Sequence, residues 1–82
     1  MIELLCIRIR DHGLIKIKIT NEVSAILAFR GQQKAEDYVR DSVKADLQAD
    51  CEICELSFEM FDEARRWADQ SGIDLVVHIC DQ

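Results

Sequence analysis

The chain has 82 residues, the length of one small domain, and we expect residues 1–82 to fold as a single unit. Apolar residues make up 49% of the sequence and charged residues 32%, which is typical of a globular protein and excludes a disordered one. The formal net charge is −6, and no apolar run approaches the roughly 18 residues that a transmembrane helix needs. The N-terminal residues have no basic region before their apolar stretch, so no signal peptide is predicted and a cytoplasmic location is expected.

Two alternating segments at the start of the chain, residues 2–10 and 14–19, predict a β-hairpin. In the second segment isoleucines alternate with lysines, which is the period of two of a strand with one buried face. Gly13 lies in the turn, where a positive φ is needed. The solvated face of the hairpin is expected to be basic, with four side chains on one side: Arg8, Arg10, Lys16 and Lys18.

The pattern of residues 22–30 is compatible with two kinds of secondary structure, a strand and a short helix. A third strand would place four alternating apolar residues on one face: Val23, Ala25, Leu27 and Phe29. A short helix, capped by Asn21 and ended by Gly31, fits the same residues. We favour the strand, because a three-stranded sheet buries its apolar face better than a lone hairpin does.

Two helices are predicted in the second half of the chain. Residues 33–48 carry apolar side chains at every fourth position: Ala35, Val39, Val43 and Leu47. Residues 58–71 follow the capping residue Ser57 and end at Gly72. The apolar stripe of this second helix is Phe61, Ala64 and Ala68, flanked by Met60 and Trp67. Its aromatic rings are candidates for the core.

The remaining segments are expected to be extended. Residues 51–56 predict a short strand or a linker, and residues 73–80 predict a last strand whose nearly continuous apolar run is typical of a central strand. The predicted element order is β-β-β-α-β-α-β. Strands that come first and helices that come later indicate an α+β fold, a two-layer sandwich whose antiparallel or mixed sheet carries both helices on one face.

Cys51-x-x-Cys54 is the one recognisable motif of the sequence. A redox dithiol needs a lowered thiolate pKa, and the acidic neighbours of these cysteines would raise it. A zinc site would need His78 and Cys80 as further ligands, and residues three apart on an extended strand point to opposite faces. We therefore expect part-buried structural thiols, with no metal and no cofactor. A metal or thiol protein that uses these four residues is kept as an alternative.

The most distinctive feature is an acidic segment, residues 45–64, that contains no lysine or arginine. Its seven acidic residues are Asp46, Asp50, Glu52, Glu55, Glu59, Asp62 and Glu63. A run of acids is commonly a solvated face. However, protein surfaces generally mix both signs, and carboxylates spread over a strand and a helix can imitate the regular charge of a nucleic-acid backbone. We take these residues as the candidate partner-binding site.

A non-enzymatic function is expected, because the glycines are isolated and no nucleophile has recognisable partners. The leading hypothesis is an acidic protein-binding domain, a small inhibitor that occupies a basic, nucleic-acid-binding site on a protein complex. Phage counter-defence (anti-CRISPR-like) inhibitors are similar in size and charge, but no residue motif links the chain to them. The expected partner is a protein with a basic surface, not nucleic acid itself and not a membrane.

Two other surfaces are kept as alternatives. The chain could be an oligomeric assembly module that pairs through its sheet, for example as a homodimer. The basic hairpin face could also bind a partner, but no aromatic residue lies between residues 1 and 28 to stack on nucleic-acid bases. Adjacent exposed acids would favour the inhibitor, and an exposed apolar part of the sheet would favour the assembly module.

Overall fold

The computed structural model describes residues 4–80, which form a six-stranded sheet and three helices. In chain order the elements are β1 (Leu5–Ile9), β2 (Gly13–Leu14), β3 (Lys16–Lys18), β4 (Val23–Phe29), α1 (Gln32–Ser42), α2 (Ala45–Gln48), β5 (Cys51–Glu55), α3 (Phe58–Gln70) and β6 (Asp74–Cys80). The predicted α+β class with a mixed sheet is confirmed. The first residues of the predicted strand 2–10 lie outside the described residues. Within the described part, no helix is long and apolar enough to cross a membrane.

β4 is the central strand of the sheet, so the strand interpretation of residues 22–30 is confirmed. It runs parallel to β6 over its whole length and antiparallel to β3. At its end, Phe29 lies opposite Leu5 of β1. The five consecutive residues from Ala25 to Phe29 are all buried. Because alternate residues of a strand point to opposite faces, both faces of the sheet are covered at β4.

The two long helices, α1 and α3, pack against different residues of this sheet. α1 packs on a buried cluster that consists of Ile7, Leu27, Phe29 and its own Ala35. α3 borders the alternate residues: the Trp67 ring lies against Lys16, which pairs with Ile26, and Phe61 borders a groove together with Val77. The two helices therefore do not lie on one face of the sheet, as had been expected. The reason is that β4 has apolar residues on both faces of the sheet, whereas one layer of helices can cover only one face.

The predicted hairpin forms, but its second strand is divided into β2 and β3. β2 pairs with β1, whereas β3 pairs with β4. Between them, Ile15 donates its N–H to the Ile7 carbonyl at 2.9 Å, and its own carbonyl accepts from the Leu27 N–H at 3.2 Å. Ile15 therefore ties β1 to β4. Gly13 has a φ of 82°, as the turn requires.

The predicted helix 33–48 is interrupted near its middle. α1 ends at Ser42, and Val43 is extended with φ −92° and ψ 138° before the short α2 begins. Gln48 Nε2 donates to the Val43 carbonyl at 2.9 Å. The prediction of one helix was wrong because apolar residues spaced by four drift by about 40° per repeat around a 3.6-residue helix. In a continuous helix, Leu47 would leave the buried face.

β6 lies at an edge of the sheet, so its predicted central position is wrong. Within residues 4–80 it pairs with β4 alone. Val76 and Val77 are 43% and 36% exposed. A continuous apolar run fits a strand with neighbours on both sides, but composition does not identify those neighbours, and here β4 takes the central place.

The buried core centres on β1, β4 and α1 and not on the aromatic residues of α3. Phe29 is 1% exposed, and its ring centroid lies 5.4 Å from that of Tyr38. By contrast, Trp67 is 47% exposed and Phe61 is partly buried. The small Ala68 is the buried residue of α3. Trp67 is therefore a surface residue and not a core residue.

Candidate functional site

β5, the strand at the other edge of the sheet, carries the middle of the acidic segment. It pairs with β1 from Cys51 opposite Ile9 to Glu55 opposite Leu5, and with no other strand in the described part of the chain. α2 precedes β5 and α3 follows it. The acidic residues lie on β5 and on the elements before and after it in the chain, which we call the acidic border: Asp46 in α2, Asp50 before β5, Glu52 and Glu55 in β5, and Glu59, Asp62 and Glu63 in the first half of α3.

These side chains are accessible to a partner. Six of the seven acidic residues are exposed, and Asp50 is partly buried. Glu52 and Glu55 are three residues apart on a strand, so their side chains point to opposite faces. The acidic surface therefore wraps around the edge of the sheet and does not cover one flat face. Asp46 and Glu59 lie in the first turns of α2 and α3, where a carboxylate also stabilises the helix terminus.

The acidic and basic parts of the sequence meet across the β1–β5 pair. Arg8 lies opposite Glu52, and Arg8 Nη2 is 3.6 Å from Glu52 Oε2. The two side chains remain 53% and 64% exposed. Such exposed ion pairs contribute about 0–1 kcal/mol, so this contact leaves Glu52 available to a partner. Arg10 and Asp50 border the same surface groove, which has a volume of about 400 Å³.

The basic hairpin face is partly covered by α3. Three of its four predicted basic side chains lie on one side, since Lys16 and Lys18 pair with Ile26 and Ser24 of β4 and Arg8 borders a groove together with Lys16. Lys16 Nζ lies 4.8 Å from the centroid of the Trp67 ring, and Glu63 borders a groove with Arg8 and Lys16. A sheet that binds nucleic acid presents basic side chains and aromatic rings to solvent. Here the helix lies against them, which favours the acidic border as the binding surface.

Two aromatic residues differ in their suitability as contacts for a partner. Tyr38 is partly buried against Phe29, and burial, followed by the nearby Cys80, raises the pKa of its phenol. Trp67 is half exposed and lies one helical turn after Glu63, on the same side of α3. Trp67 is therefore an aromatic side chain beside the acidic surface, and Phe58, next to Glu59 and 87% exposed, is another.

Cys54 lies close to Cys6 and not to Cys51. Cys6 is directly opposite Cys54 in the β1–β5 register, and their sulfur atoms are 3.8 Å apart. Cys51 points to the other face, where its Sγ donates to the Leu47 carbonyl at 3.5 Å. Sequence reasoning missed the role of Cys6, because the pairing depends on the strand register, and no spacing in the sequence encodes it.

The environment of these thiols disfavours nucleophilic chemistry. Burial, and next the neighbouring Cys54, raise the pKa of the Cys6 thiol to about 12. Burial, followed by the charge of Asp50, raises the pKa of Cys51. Both thiols are held in the protonated form, whereas a nucleophile or a metal ligand acts as the thiolate.

The four residues of the alternative metal site are not brought together. Cys51 and Cys54 lie on opposite faces of β5, while His78 lies on β6 at the far edge, with β1 and β4 in between. Cys80 packs against the core cluster around Phe29. Among residues 4–80, no group of three histidine, cysteine, aspartate or glutamate side chains is placed to hold a metal ion.

Comparisons of the chain with protein-family models, with curated proteins and with solved structures gave no match.

Proposed function

We propose that this chain is a non-enzymatic protein-binding domain that presents its acidic segment to a basic site on another protein. The observation that carries the proposal is the position of β5, an edge strand with carboxylates on both faces and further acids in α2 and α3 on either side. No lysine or arginine lies in residues 45–64, and the border keeps an excess of acids although Arg8, Arg10 and Lys16 of the hairpin approach it. An excess of negative charge attracts a partner of opposite charge and accelerates its association.

The chemistry of the partner follows from the carboxylates. Arginine binds carboxylates and phosphates in the same bidentate manner. A protein site that holds a nucleic-acid backbone therefore also accepts a row of carboxylates, and the chain then acts as a nucleic-acid mimic. In the specific form of the proposal, the chain is a small inhibitor that excludes nucleic acid from this site, as phage counter-defence inhibitors do. Trp67 is placed to supply an apolar anchor beside the charges.

The acids of β5 also have a structural effect. Charged residues on an edge strand prevent that edge from pairing with other chains. On β5, Glu52 and Glu55 supply this protection. The acids of α2 and α3 lie outside the strand, so edge protection does not account for them. Partner binding accounts for the whole segment.

Affinity capture from the source cell, with the tagged protein as bait, tests the proposal. The combined variant Glu52→Lys, Glu55→Lys and Glu59→Lys should lose the partner, because these side chains are exposed and form the centre of the acidic border. Capture by the wild type should weaken steeply with salt, since the screening length falls from about 8 Å at 0.15 M to about 3 Å at 1 M. Added nucleic acid should displace the wild type from the partner.

A matched control variant distinguishes an effect of the acidic segment from an effect of net charge alone. The combined variant Glu22→Lys, Glu36→Lys and Asp69→Lys makes the same change in charge at exposed positions outside the segment. It should retain the partner, and circular dichroism should show that both variants are folded. Equal loss of the partner in both variants, or its retention in the first, would contradict the proposal.

A further inference from the structure

Cys6 and Cys54 form a contact that the proposed partner binding does not use. Cys6 of β1 lies directly opposite Cys54 of β5, and their Sγ atoms are 3.8 Å apart although the residues are 48 positions apart in the sequence. Both residues are free thiols in the structure. The other two cysteines, Cys51 and Cys80, pack against the buried cluster beside α1. Cys51 therefore lies on the other face of β5, and the fold brings Cys54 to Cys6 instead.

The backbone at this pair has the separation that a disulfide needs. The Leu56 N–H donates to the Leu4 carbonyl at 2.8 Å, so these two residues, one alternation away from the cysteines, are a hydrogen-bonded pair. Cys6 and Cys54 then occupy the same kind of position, where opposite Cα atoms lie about 5.5 Å apart. Disulfides span Cα separations of about 4.4–6.8 Å. The bond can therefore close by rotation of the two side chains, without a shift of the strands.

The two thiols differ in their access to solvent. Cys6 is 0% exposed, because β1 lies inside the sheet, with β5 on one side and β2 and β4 on the other. Cys54 is partly exposed, because β5 is an edge strand that pairs with β1 alone in the described part of the chain. A small oxidant therefore reaches Cys54 from solvent, whereas it does not reach Cys6 directly.

We propose that Cys6 and Cys54 are a reversible oxidation site, at which a peroxide converts the two thiols into a disulfide that joins β1 to β5. Cys54 is the thiol that the peroxide oxidises, and Cys6 is the thiol that resolves the product. A cysteine sulfenic acid condenses with a neighbouring thiol to give a disulfide, and Cys6 is the neighbour that the strand register supplies. The proposal does not depend on the acidic border or on its partner.

The reaction has two steps. In the first, the Cys54 thiolate attacks one oxygen of hydrogen peroxide, the O–O bond breaks, and the hydroxide that leaves takes up a proton to become water. Cys54 is then a sulfenic acid. In the second, the Cys6 sulfur attacks the Cys54 sulfur, the S–O bond breaks, and the hydroxide leaves as water with the proton of Cys6. The two thiols lose two electrons and two protons, and one hydrogen peroxide becomes two water molecules.

The surroundings of Cys6 fit its place in the second step. Burial, and next the negative charge of Cys54, raise the pKa of the Cys6 thiol to about 12, so Cys6 does not start the reaction as a thiolate. Once Cys54 is a sulfenic acid, its sulfur no longer carries that charge, and the second cause of the raised pKa disappears. The contact between the two sulfurs also makes the attack intramolecular, which compensates for a weak nucleophile.

The disulfide joins the ends of a long stretch of the fold. The segment between Cys6 and Cys54 contains β2, β3, β4, α1 and α2. A link across so long a segment restricts the unfolded state and raises the Tm of a small domain by on the order of 10 °C. It also fastens to the sheet the edge strand that carries Glu52 and Glu55.

Peptide mapping after treatment with hydrogen peroxide tests the site. Trypsin cleaves after lysine and arginine, so Cys6 is released in peptide 1–8, whereas Cys51 and Cys54 are released together in peptide 45–65. With free thiols alkylated before digestion, the oxidised wild type should have lost the mass of two hydrogen atoms and should yield these two peptides joined. Dithiothreitol should separate them. The wild type should remain one chain on a non-reducing gel.

Two matched variants assign the link to one cysteine of the pair in peptide 45–65. Cys51→Ser should form the same link and show the same rise in Tm on oxidation, whereas Cys54→Ser should show neither. Circular dichroism of the reduced proteins should show that both are folded. A wild type whose two peptides stay separate, a link between chains, or a Cys54→Ser variant that still joins the peptides would overturn the proposal.

Trapping of the intermediate tests the order of the two steps. Both variants for this test are built on Cys51→Ser, so that a label on peptide 45–65 reports Cys54. With Cys6→Ala no thiol faces Cys54, and its sulfenic acid should persist and react with dimedone, a reagent for sulfenic acids. With Cys54→Ser, the buried Cys6 should stay unlabelled. Label on Cys6, or none on Cys54, would refute the assigned order.

Discussion

Arg8 and Glu52 face each other across the β1–β5 pair, with Arg8 Nη2 3.6 Å from Glu52 Oε2. The contact joins the basic start of the chain to the acidic segment, so part of the charge separation seen in the sequence is compensated within the fold. Glu63 of α3 also borders a groove with Arg8 and Lys16, so the compensation extends to the start of α3.

The Arg8–Glu52 pair should contribute little to stability. Both side chains are more than half exposed, and exposed pairs are worth about 0.2–1 kcal/mol in double-mutant cycles. We expect the cycle of Arg8→Ala and Glu52→Ala, measured by urea unfolding, to give a coupling energy within this range. A coupling energy of about 3 kcal/mol, typical of buried pairs, would show that Glu52 is a structural residue and not part of a binding surface.

Phe29 and Trp67 should differ strongly in their contribution to folding. Phe29→Ala removes a buried ring that packs on Tyr38 and should lower the free energy of unfolding by about 3–5 kcal/mol. Trp67→Ala removes a half-exposed ring and its contact with Lys16, which is worth about 0.5–1 kcal/mol at an exposed site. Urea unfolding of both variants checks the order. If Trp67→Ala lowered the free energy of unfolding as much as Phe29→Ala or more, the core would lie beneath α3.

Stability should fall at alkaline pH because of Cys6. Its thiol pKa is raised from 9.0 to about 12 in the folded chain, by burial first and by Cys54 second. Above pH 9.0 the unfolded state releases a proton that the folded state retains, so the contribution of this group is complete below pH 9.0 and is lost as pH rises toward 12.

Urea unfolding measured at several pH values checks this dependence. The Cys6→Ala variant should be less stable at neutral pH, since it leaves a cavity, but its stability should fall less steeply above pH 9.0 than that of the wild type. Tyr38 and Cys51 also have raised pKa values and are unchanged in both proteins, so the difference in slope reports Cys6. Identical slopes would mean that the Cys6 thiol ionises normally in the fold.

The purified protein should hold no stoichiometric zinc and should not reduce disulfides. The reason is geometric, because Cys51 and Cys54 point to opposite faces of β5 and His78 lies at the other edge of the sheet. Elemental analysis and an insulin-reduction assay measure the two properties. One zinc ion per chain that is lost on Cys54→Ser would contradict this expectation.

Local patterns in the sequence predicted most of the elements but not their neighbours. The alternation of residues 14–19 and the cap at Ser57 predicted real strands and a real helix start, because both depend on local chemistry. The position of β6 could not be predicted, because its apolar run is compatible with a central strand and with an uncovered edge. Strand order depends on contacts between residues far apart in the sequence.

The candidate site was likewise predictable in part. The acidic residues are recognisable from composition, but their position around β5 depends on that strand lying at an edge. The contact of Arg8 with Glu52 and the approach of Cys6 to Cys54 depend on the β1–β5 register, which joins residues about 45 positions apart and cannot be read from local sequence patterns. Trp67 flanks the apolar stripe of α3, and in the fold it is 47% exposed with Lys16 over its ring.

A comparison of two charge reversals against the captured partner tests the central claim most directly. One variant combines Glu52→Lys, Glu55→Lys and Glu59→Lys. The other combines Arg10→Glu and Lys18→Glu. These two basic residues of the hairpin take no part in the Arg8–Glu52 and Lys16–Trp67 contacts, so both contacts stay intact. We predict that the acidic reversal abolishes binding in a titration of the purified partner, while the hairpin reversal changes the affinity little. Loss of binding in the hairpin variant with normal binding in the acidic variant would contradict the account and assign the site to the basic face.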